Sequence, residues 1–590
     1  MGRRDRNDPE DPGRRDGSDR RSVLSITVVW AVLVALAGPV GDFPLNDDWA
    51  YGWTVKTLLD TGSFQLSDWT ATNLLPQALW GALFSLPFGF SFTALRLSTL
   101  VLGLVGVLAT YGILRQVRAD PATSLLGALL VALNPLYFAL SHSFSNDVPS
   151  LAFALTALYF LLRGLGENAP VDLGLGIAAA LIATMNRQSG IVILPVFGLA
   201  LLLKRGFRFG TVLLAVLPTV AGLAFNALYP RWLEAQGHRP VLFGLQIRQL
   251  LATVTGGVGH AAAVYLENLV IIGVYLGLFL LPFLGLAFPS LRAGLSTRGR
   301  QVAWGVVLAG AGVGGALVLQ GRRMPFIGNV LVPFGVGPKV LPGYDSFMGS
   351  GGRALIDGVW GVLTVLGAAG AALLLLFGAR AVATLAGMVR GPVSDRGWRL
   401  ILVGGVAVLY VLAIAGLERG YWFDRYLIFL LPLAMAIASL AGDRGAPDRA
   451  RPGFTATALI GLALAGSFTL AATHDYLAWN RARWRSLNQL LSGSGLSPGE
   501  IDGGFEFRGW HFGQRLANCA SGGANATDAV NADWDDFRCL WPARRDEYPF
   551  AVGFLPRPGY EVMNEHAFRR WLPWRRQPLY VLRRLGPVTE

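Results

Sequence analysis

The side chains best suited to chemistry stand at the ends of apolar runs. Asp47 and Asp48 lie in Asn46-Asp47-Asp48-Trp49-Ala50-Tyr51, just past the apolar span 23–40. Asp147 lies in Ser145-Asn146-Asp147-Val148-Pro149, after two further spans. If the spans alternate in direction, both acidic signals emerge on one side of a membrane. A carboxylate at a wet membrane face can take the proton of an acceptor hydroxyl, and an alcohol is a poor nucleophile until that proton leaves. The competing roles are local. One Asp of the first pair would cap the helix expected near Trp49, and Asp147 would cap a helix carrying Pro149 in its first turn.

The cations that would complement these groups are Arg425, Arg187 and Lys339. Arg425 follows Asp424 at the outer end of a span, Arg187 separates two short spans, and Lys339 closes Gly335-Val336-Gly337-Pro338-Lys339. The planar fork of Arg suits two phosphate oxygens, while a cation near a membrane boundary also snorkels to the interface for its own sake. Carboxylates facing a phosphate repel it unless a cation intervenes. A divalent cation held by Asp47 and Asp147 is the cofactor option this leaves open. His142 stands alone and reads as structural. Glu506 sits in a strand-like run, where a solvated face is favoured over contact with a sugar.

The elements that must position these groups are membrane spans. The chain has 590 residues, of which 53% are hydrophobic and 15% charged, which excludes an ordinary soluble globular protein. A bilayer core requires roughly 20 mainly apolar residues per helix. The expected spans are 23–40, 93–114, 122–140, 148–165, 172–186, 189–203, 210–228, 261–288, 302–320, 355–378, 399–416, 425–440 and 454–472. Runs such as Leu100-Val101-Leu102-Gly103-Leu104-Val105 do not alternate as a barrel strand must. The fold class expected is an all-α polytopic membrane bundle of about 13 transmembrane helices, with a small C-terminal extracytoplasmic α/β domain.

Loop charge sets the orientation. Arg115 and Arg118, Arg163, Lys204 and Arg205, Arg292 and Arg298, Arg380 and Arg396, and Arg444 and Arg449 all fall on the side of the N-terminus. Lys and Arg accumulate on the cytoplasmic side, so the N-terminus is expected inside and residues 473–590 outside. The net charge of +13 reads as loop charge and lipid headgroup contact rather than nucleic-acid binding, since no basic stretch is interleaved with aromatics. Residues 1–21 read as a disordered cytoplasmic tail. The first apolar stretch runs on to Val40, which favours a retained anchor over a cleaved signal peptide. The module 22–472 carries long outer loops at 41–92, 229–260 and 321–354. In the first, Trp49, Trp53, Trp69 and Trp80 suit a helix at headgroup level. In 473–590, a helix is expected over 475–491 and strands over 501–507, 550–555 and 579–582. Cys519 and Cys539 are expected to form one disulfide, with two unpaired thiols as the alternative.

Several stretches resemble the GT-C membrane glycosyltransferases, in particular the group of protein O-mannosyltransferases and the bacterial aminoarabinose transferase of lipid A. They are Asp47-Asp48-Trp49-Ala50-Tyr51, Leu79–Phe90 with Leu95-Arg96-Leu97-Ser98, Asn134-Pro135, Ser145-Asn146-Asp147-Val148-Pro149 and Asp424-Arg425-Tyr426-Leu427. One departure is Asn73-Leu74-Leu75-Pro76, where many members carry a basic residue before a Pro-Pro pair. The resemblance implies a sugar transferred from a polyprenyl-phosphate donor to an acceptor hydroxyl on a glycan, lipid or protein. Asp47, with Asp48 and Asp147, would serve as the catalytic carboxylates. Arg425, Arg187 and Lys339 would hold the donor phosphate, and Tyr51, Asn146 and Gln188 would touch substrate. The rival readings are a transporter or flippase of lipid-linked sugars, which more often shows internal repeats and charges within spans, and a non-catalytic envelope assembly protein.

Overall fold

The computed structural model describes residues 12–347, 350–387, 393–442, 452–493, 495–513 and 548–586. In chain order the helices are α1 (Pro12–Ala37), α2 (Asp48–Thr61), α3 (Leu75–Ser85), α4 (Phe92–Gln116), α5 (Pro121–Ala132), α6 (Pro135–Ser141), α7 (Asp147–Glu167), α8 (Pro170–Asn186) and α9 (Ile193–Arg205). They continue as α10 (Phe209–Ala235), α11 (Leu245–Thr255), α12 (Val258–Ala293), α13 (Thr297–Leu319), α14 (Ser350–Ala386), α15 (Asp395–Ala415), α16 (Leu430–Ala441), α17 (Pro452–Gly493) and α18 (Phe505–Phe512).

Among the described residues, 11 helical stretches are long and apolar enough to cross a bilayer, or up to 12 if the bent pair α5–α6 is one span. The chain is therefore a multi-pass membrane protein. Each of the 13 expected spans falls mainly on helix, the first ending at Ala37 and the third broken at 133–134. The shortfall from 13 lies at the broken pair α5–α6 and at α8, whose 17 residues rise about 26 Å at 1.5 Å per residue, less than the roughly 30 Å of a bilayer core. The bend of 62° between α5 and α6 has a local cause. Pro135 cannot continue the α5 hydrogen-bond ladder, and Asn134 Oδ1 caps the new helix by accepting from the Leu136 and Tyr137 amides. The spans pack through small residues. A Cβ added at Gly277 of α12 would lie 2.1 Å from the Gly367 carbonyl oxygen of α14, and one added at Gly370 would lie 2.2 Å from that of Gly277. Only glycine allows backbones this close in a medium that offers no hydrophobic drive between helices.

Three expectations are corrected. Within the N-terminal tail, residues 12–21 are not a disordered segment; they extend α1. Asp19 there accepts from the Tyr111 hydroxyl at 2.5 Å and from Arg115 Nε at 2.8 Å, so polar composition hid a helix end anchored on α4. Trp49 and Trp69 do not lie at a headgroup surface. They are buried together with Leu242 and Leu245. The run Ile501–Phe507 is not one strand, because only Ile501–Asp502 is extended and Phe505 already opens α18.

Beyond the bundle, α17 runs without a break from the last apolar segment to Gly493. A four-stranded sheet follows in the order β3-β4-β6-β5, with β3 Ile501–Asp502, β4 Phe550–Gly553, β5 Tyr560–Trp571 and β6 Trp574–Arg584, after a small β1–β2 hairpin at Leu331–Val332 and Gly335–Val336. β3 pairs parallel with β4, and the other contacts are antiparallel. Leu579 and Val581 of β6 alternate into the core, as a half-buried strand requires. Cys519 and Cys539 lie outside the described residues.

Candidate active site

Four charged side chains from four segments form one linked cluster, three of them, Asp147, Arg187 and Arg425, lining a cleft and the fourth, Asp47, joined to it through Arg425. Asp47 ends the loop before α2, Asp147 opens α7, Arg187 sits between α8 and α9, and Arg425 belongs to a short 3-10 helix, Asp424–Phe429, that leads into α16. Arg425 Nη1 is 2.7 Å from Asp47 Oδ2, and its Nε is 3.7 Å from Asp147 Oδ2. Arg187 Nη1 is 2.7 Å from Asp147 Oδ1. Neutral donors also reach both carboxylates: the Trp69 indole N–H reaches Asp47 Oδ1 at 3.1 Å, and the Ser145 hydroxyl reaches Asp147 Oδ2 at 2.8 Å. Two carboxylates and two guanidiniums balance in charge, which is what allows Asp47, Asp147 and Arg425 to be buried and Arg187 half-buried.

Backbone geometry explains why these side chains point inward. Asp47 occupies the cap position of α2 but makes no capping bond, and Asn146 likewise leaves its side chain out of the α7 cap. The capping roles weighed for Asp47 and Asp147 are thus not taken up. Arg187 has extended dihedrals, φ −145° and ψ 132°, so it interrupts the helix and turns its guanidinium onto the Tyr426 ring at 4.8 Å. The stretch Asn73-Leu74-Leu75-Pro76 fixes that break. The Leu74 amide donates to the Asn186 carbonyl at 2.9 Å, the Gln77 amide to Asn186 Oδ1 at 3.1 Å, and Asn73 Nδ2 to the Thr184 carbonyl at 2.8 Å. Asp424 accepts from the amides of Val330 and Leu331. That ties loop 321–347 to the residue before Arg425.

The other expected site residues separate. Tyr51 is buried, and the charges of Asp47, Arg425, Asp147 and Arg187 all act on its phenol. Burial first, and Asp47 second, push that phenol up, so it remains a neutral donor. Asp48 faces away from the cleft. It accepts from the Leu45 amide and, at 3.2 Å, from the Phe144 amide. Burial, outweighing the nearby Arg96 charge, pushes its carboxyl up to about 8. Its geometry is that of a brace between two loops. Asn146 joins an amide network, with Nδ2 on Gln77 Oε1 at 3.0 Å and Oδ1 accepting from Ser150. Gln188 donates to the Ala71 carbonyl at 3.3 Å. Lys339 pairs with Asp345 at 2.7 Å on a half-exposed loop and does not line the cleft. His142 is fully buried, with Nδ1 2.8 Å from the Phe138 carbonyl.

The cleft encloses about 400 Å³, part of it open to the surroundings. Asp147, Arg187 and Arg425 form its polar end, and Leu151, Ala154, Ala183, Ile428 and Phe429 its apolar wall. Arg425 Nε is buried there without a hydrogen-bond acceptor. Arg425 bridges the two carboxylates that were expected as candidate metal ligands, at 2.7 Å from Asp47 and 3.7 Å from Asp147. Among the described residues no three His, Cys, Asp or Glu side chains group as ligands.

Sequence reasoning missed three positions. Arg96 is buried and donates to the carbonyls of His142, Pro39, Gly41 and Phe43 at 2.7, 2.6, 3.0 and 3.0 Å. A lone Arg inside a span expected at 93–114 was the available signal. Gln77 and Asn186 gave none.

Residues 76–230 match the family described as Dolichyl-phosphate-mannose-protein mannosyltransferase. Asp147 and Arg187 fall inside that stretch, and Asp47 and Arg425 outside it. The chain resembles the GT-C membrane glycosyltransferases. No curated protein matches it significantly in sequence. Among solved structures, ArnT from Cupriavidus metallidurans bound to undecaprenyl phosphate is 16% identical over 97% of this chain and 99% of its own, with a TM-score of 0.41. The same protein in the apo state is 15% identical over 97% and 100%, with a TM-score of 0.36. The apo oligosaccharyltransferase of Archaeoglobus fulgidus is 14% identical over 80% of this chain, with a TM-score of 0.38, and this chain covers 58% of its length.

Proposed function

We propose that this protein is a membrane glycosyltransferase that moves a sugar from a polyprenyl-phosphate donor to an acceptor hydroxyl on the extracytoplasmic side, with inversion at the anomeric carbon. The observation that carries this reading is the cleft itself: two guanidiniums at one end, an apolar wall at the other, and a carboxylate held by the guanidinium that would meet the phosphate. The donor phosphate takes Arg187 and Arg425, including the open Arg425 Nε, and the first isoprene units lie against Leu151, Ala154, Ile428 and Phe429. As Arg425 turns to the phosphate it releases Asp47. Asp47 then accepts the proton of the acceptor hydroxyl. The acceptor oxygen attacks the anomeric carbon on the face opposite the phosphate, the bond from that carbon to the phosphate oxygen breaks, and polyprenyl phosphate leaves with the electron pair. Negative charge grows on the leaving phosphate as that bond breaks, so fixed guanidiniums stabilise the transition state more than the bound donor.

The test is a panel of undecaprenyl-phosphate-linked hexoses and pentoses carrying radiolabelled sugars, incubated with the purified protein and crude envelope acceptors. Label is expected to leave the lipid fraction, and Asp47→Asn is expected to lower that rate by a factor of about 10²–10⁴ while retaining donor binding. Label that crosses a proteoliposome bilayer yet remains on its lipid identifies a flippase instead. Transfer by Asp47→Asn at the wild-type rate removes Asp47 as the base.

A further inference from the structure

Resting on the assignment of Asp47 as proton acceptor, we infer that Glu506 in the C-terminal region is a positioning residue that sets this carboxylate. Glu506 lies 460 residues from the loop it holds. Its Oε1 accepts the Asn46 amide at 3.0 Å, one residue before Asp47. Its Oε2 accepts from Arg483 Nη1 at 2.8 Å, and both side chains are 0% exposed. Arg483 is itself fixed by the Gly503 carbonyl, at 2.8 Å from Nε and 2.6 Å from Nη2, and by Asn480 Oδ1 at 3.2 Å. The held residue is a special one. Asn46 has φ +54°, a left-handed conformation that L residues other than Asn and Asp visit with strain. The Leu45–Asn46 peptide is therefore clamped at a turn that aims the next side chain at Arg425.

A second contact grips the other flank of Asp47. Trp49 is fully buried against the end of α18, where Gly509 on the helix and Gly513 just past it form a notch. A Cβ added at either glycine would lie 2.2 Å from the indole. On the same helix Trp510 stacks on Phe90, with ring centroids 5.9 Å apart and planes 5° from parallel. The segment leading into α2 is thus held by the α18 region at Asn46 and at Trp49, on either side of Asp47. Fold stability alone does not call for an ion pair here. A buried pair is often no more stabilising than apolar residues of the same shape, whereas an apolar residue offers nothing to the Asn46 amide.

The experiment uses the full-length protein in detergent and two double variants free of unpaired buried charge. Glu506→Gln with Arg483→Met keeps an oxygen for the Asn46 amide. Glu506→Leu with Arg483→Met removes it. Hydrogen–deuterium exchange is followed over residues 43–50, with α4 as the internal reference. Turnover is measured with undecaprenyl-phosphate-linked mannose, glucose and arabinose. The Gln/Met variant is expected to match wild type in both readouts within about twofold. The Leu/Met variant is expected to exchange faster over 43–50 with α4 unchanged. Its kcat is expected to fall about 10–100-fold, the scale of a small misplacement of a reacting group, with the donor KM within about threefold. A Leu/Met variant with wild-type exchange over 43–50 overturns the inference, as does a loss shared equally by the Gln/Met variant. If the Leu/Met protein does not purify folded, Glu506→Asp withdraws the oxygen by one methylene while keeping charge toward Arg483, and unchanged exchange over 43–50 in that protein is the overturning result. Should Asp47→Asn retain wild-type turnover, the base assignment fails, and the exchange result still decides whether Glu506 holds the loop.

Discussion

Arg425 is the hinge of the site, and its pairing with Asp47 gives a quantitative test. The two groups are 2.7 Å apart, and their side chains are 11% and 12% exposed. With charge centres about 4 Å apart and an effective dielectric near 20, their attraction is on the order of 4 kcal/mol. Arg425→Met leaves Asp147 with Arg187 and Ser145, but leaves Asp47 with the Trp69 N–H in place of a cation. The cost expected is about 3 kcal/mol, at the low end for a broken buried pair because a little solvent reaches it. Asp47→Asn alone strands less, since Arg425 keeps Asp147 at 3.7 Å, and about 1–2 kcal/mol is expected. In the double variant the neutral Asn still accepts from Trp69 and no charge is unmatched. Its loss should therefore fall short of the sum of the single losses by about 2 kcal/mol or more. Heating unfolds many large proteins irreversibly, so the measurement is an SDS titration in mixed micelles followed by tryptophan fluorescence. Single losses that add to within about 0.5 kcal/mol would refute the coupling, and with it the idea that a phosphate captures Arg425 at the expense of Asp47.

Two further outcomes follow from the supports of the site. Burial pushes the Asp48 carboxyl from 3.8 up to about 8, so between those values the folded protein holds a proton that the unfolded chain has released. The stability tied to this proton is present below pH about 4 and is lost as pH rises toward 8. Asp48→Asn, which does not ionise, should flatten that decline in the SDS midpoint between pH about 4 and 8, and an unchanged slope would show that Asp48 does not carry it. Arg96 feeds four carbonyls from two loops, and a Lys ammonium cannot span them from a single nitrogen. Arg96→Lys should lower stability by about 3 kcal/mol or more, from charge-assisted hydrogen bonds worth roughly 1.5–3 kcal/mol each. A wild-type SDS midpoint for that variant would show the carbonyls to be satisfied otherwise.

The sequence by itself determined that the chain crosses a membrane many times, and where. Backbone groups in lipid must pair within their own segment, so apolar run length becomes helix position with no knowledge of neighbours. The same logic located the break at Arg187, because two short apolar runs flank a cation and Gln188. It also placed Asp47 and Asp147 at span ends, where a charge is affordable. Only the tertiary structure decided which charges meet. Asp47 and Asp48 are adjacent in sequence, yet one joins Arg425 and the other braces the Leu45 and Phe144 amides, because consecutive side chains on a turn leave in different directions. Lys339, a weaker candidate than Arg425 on a Gly- and Pro-rich loop, ended up on Asp345. Glu506 was unreadable for a deeper reason. Its partners are an amide 460 residues away and an Arg on α17, and no local pattern encodes a contact whose two halves are brought together only when the bundle closes.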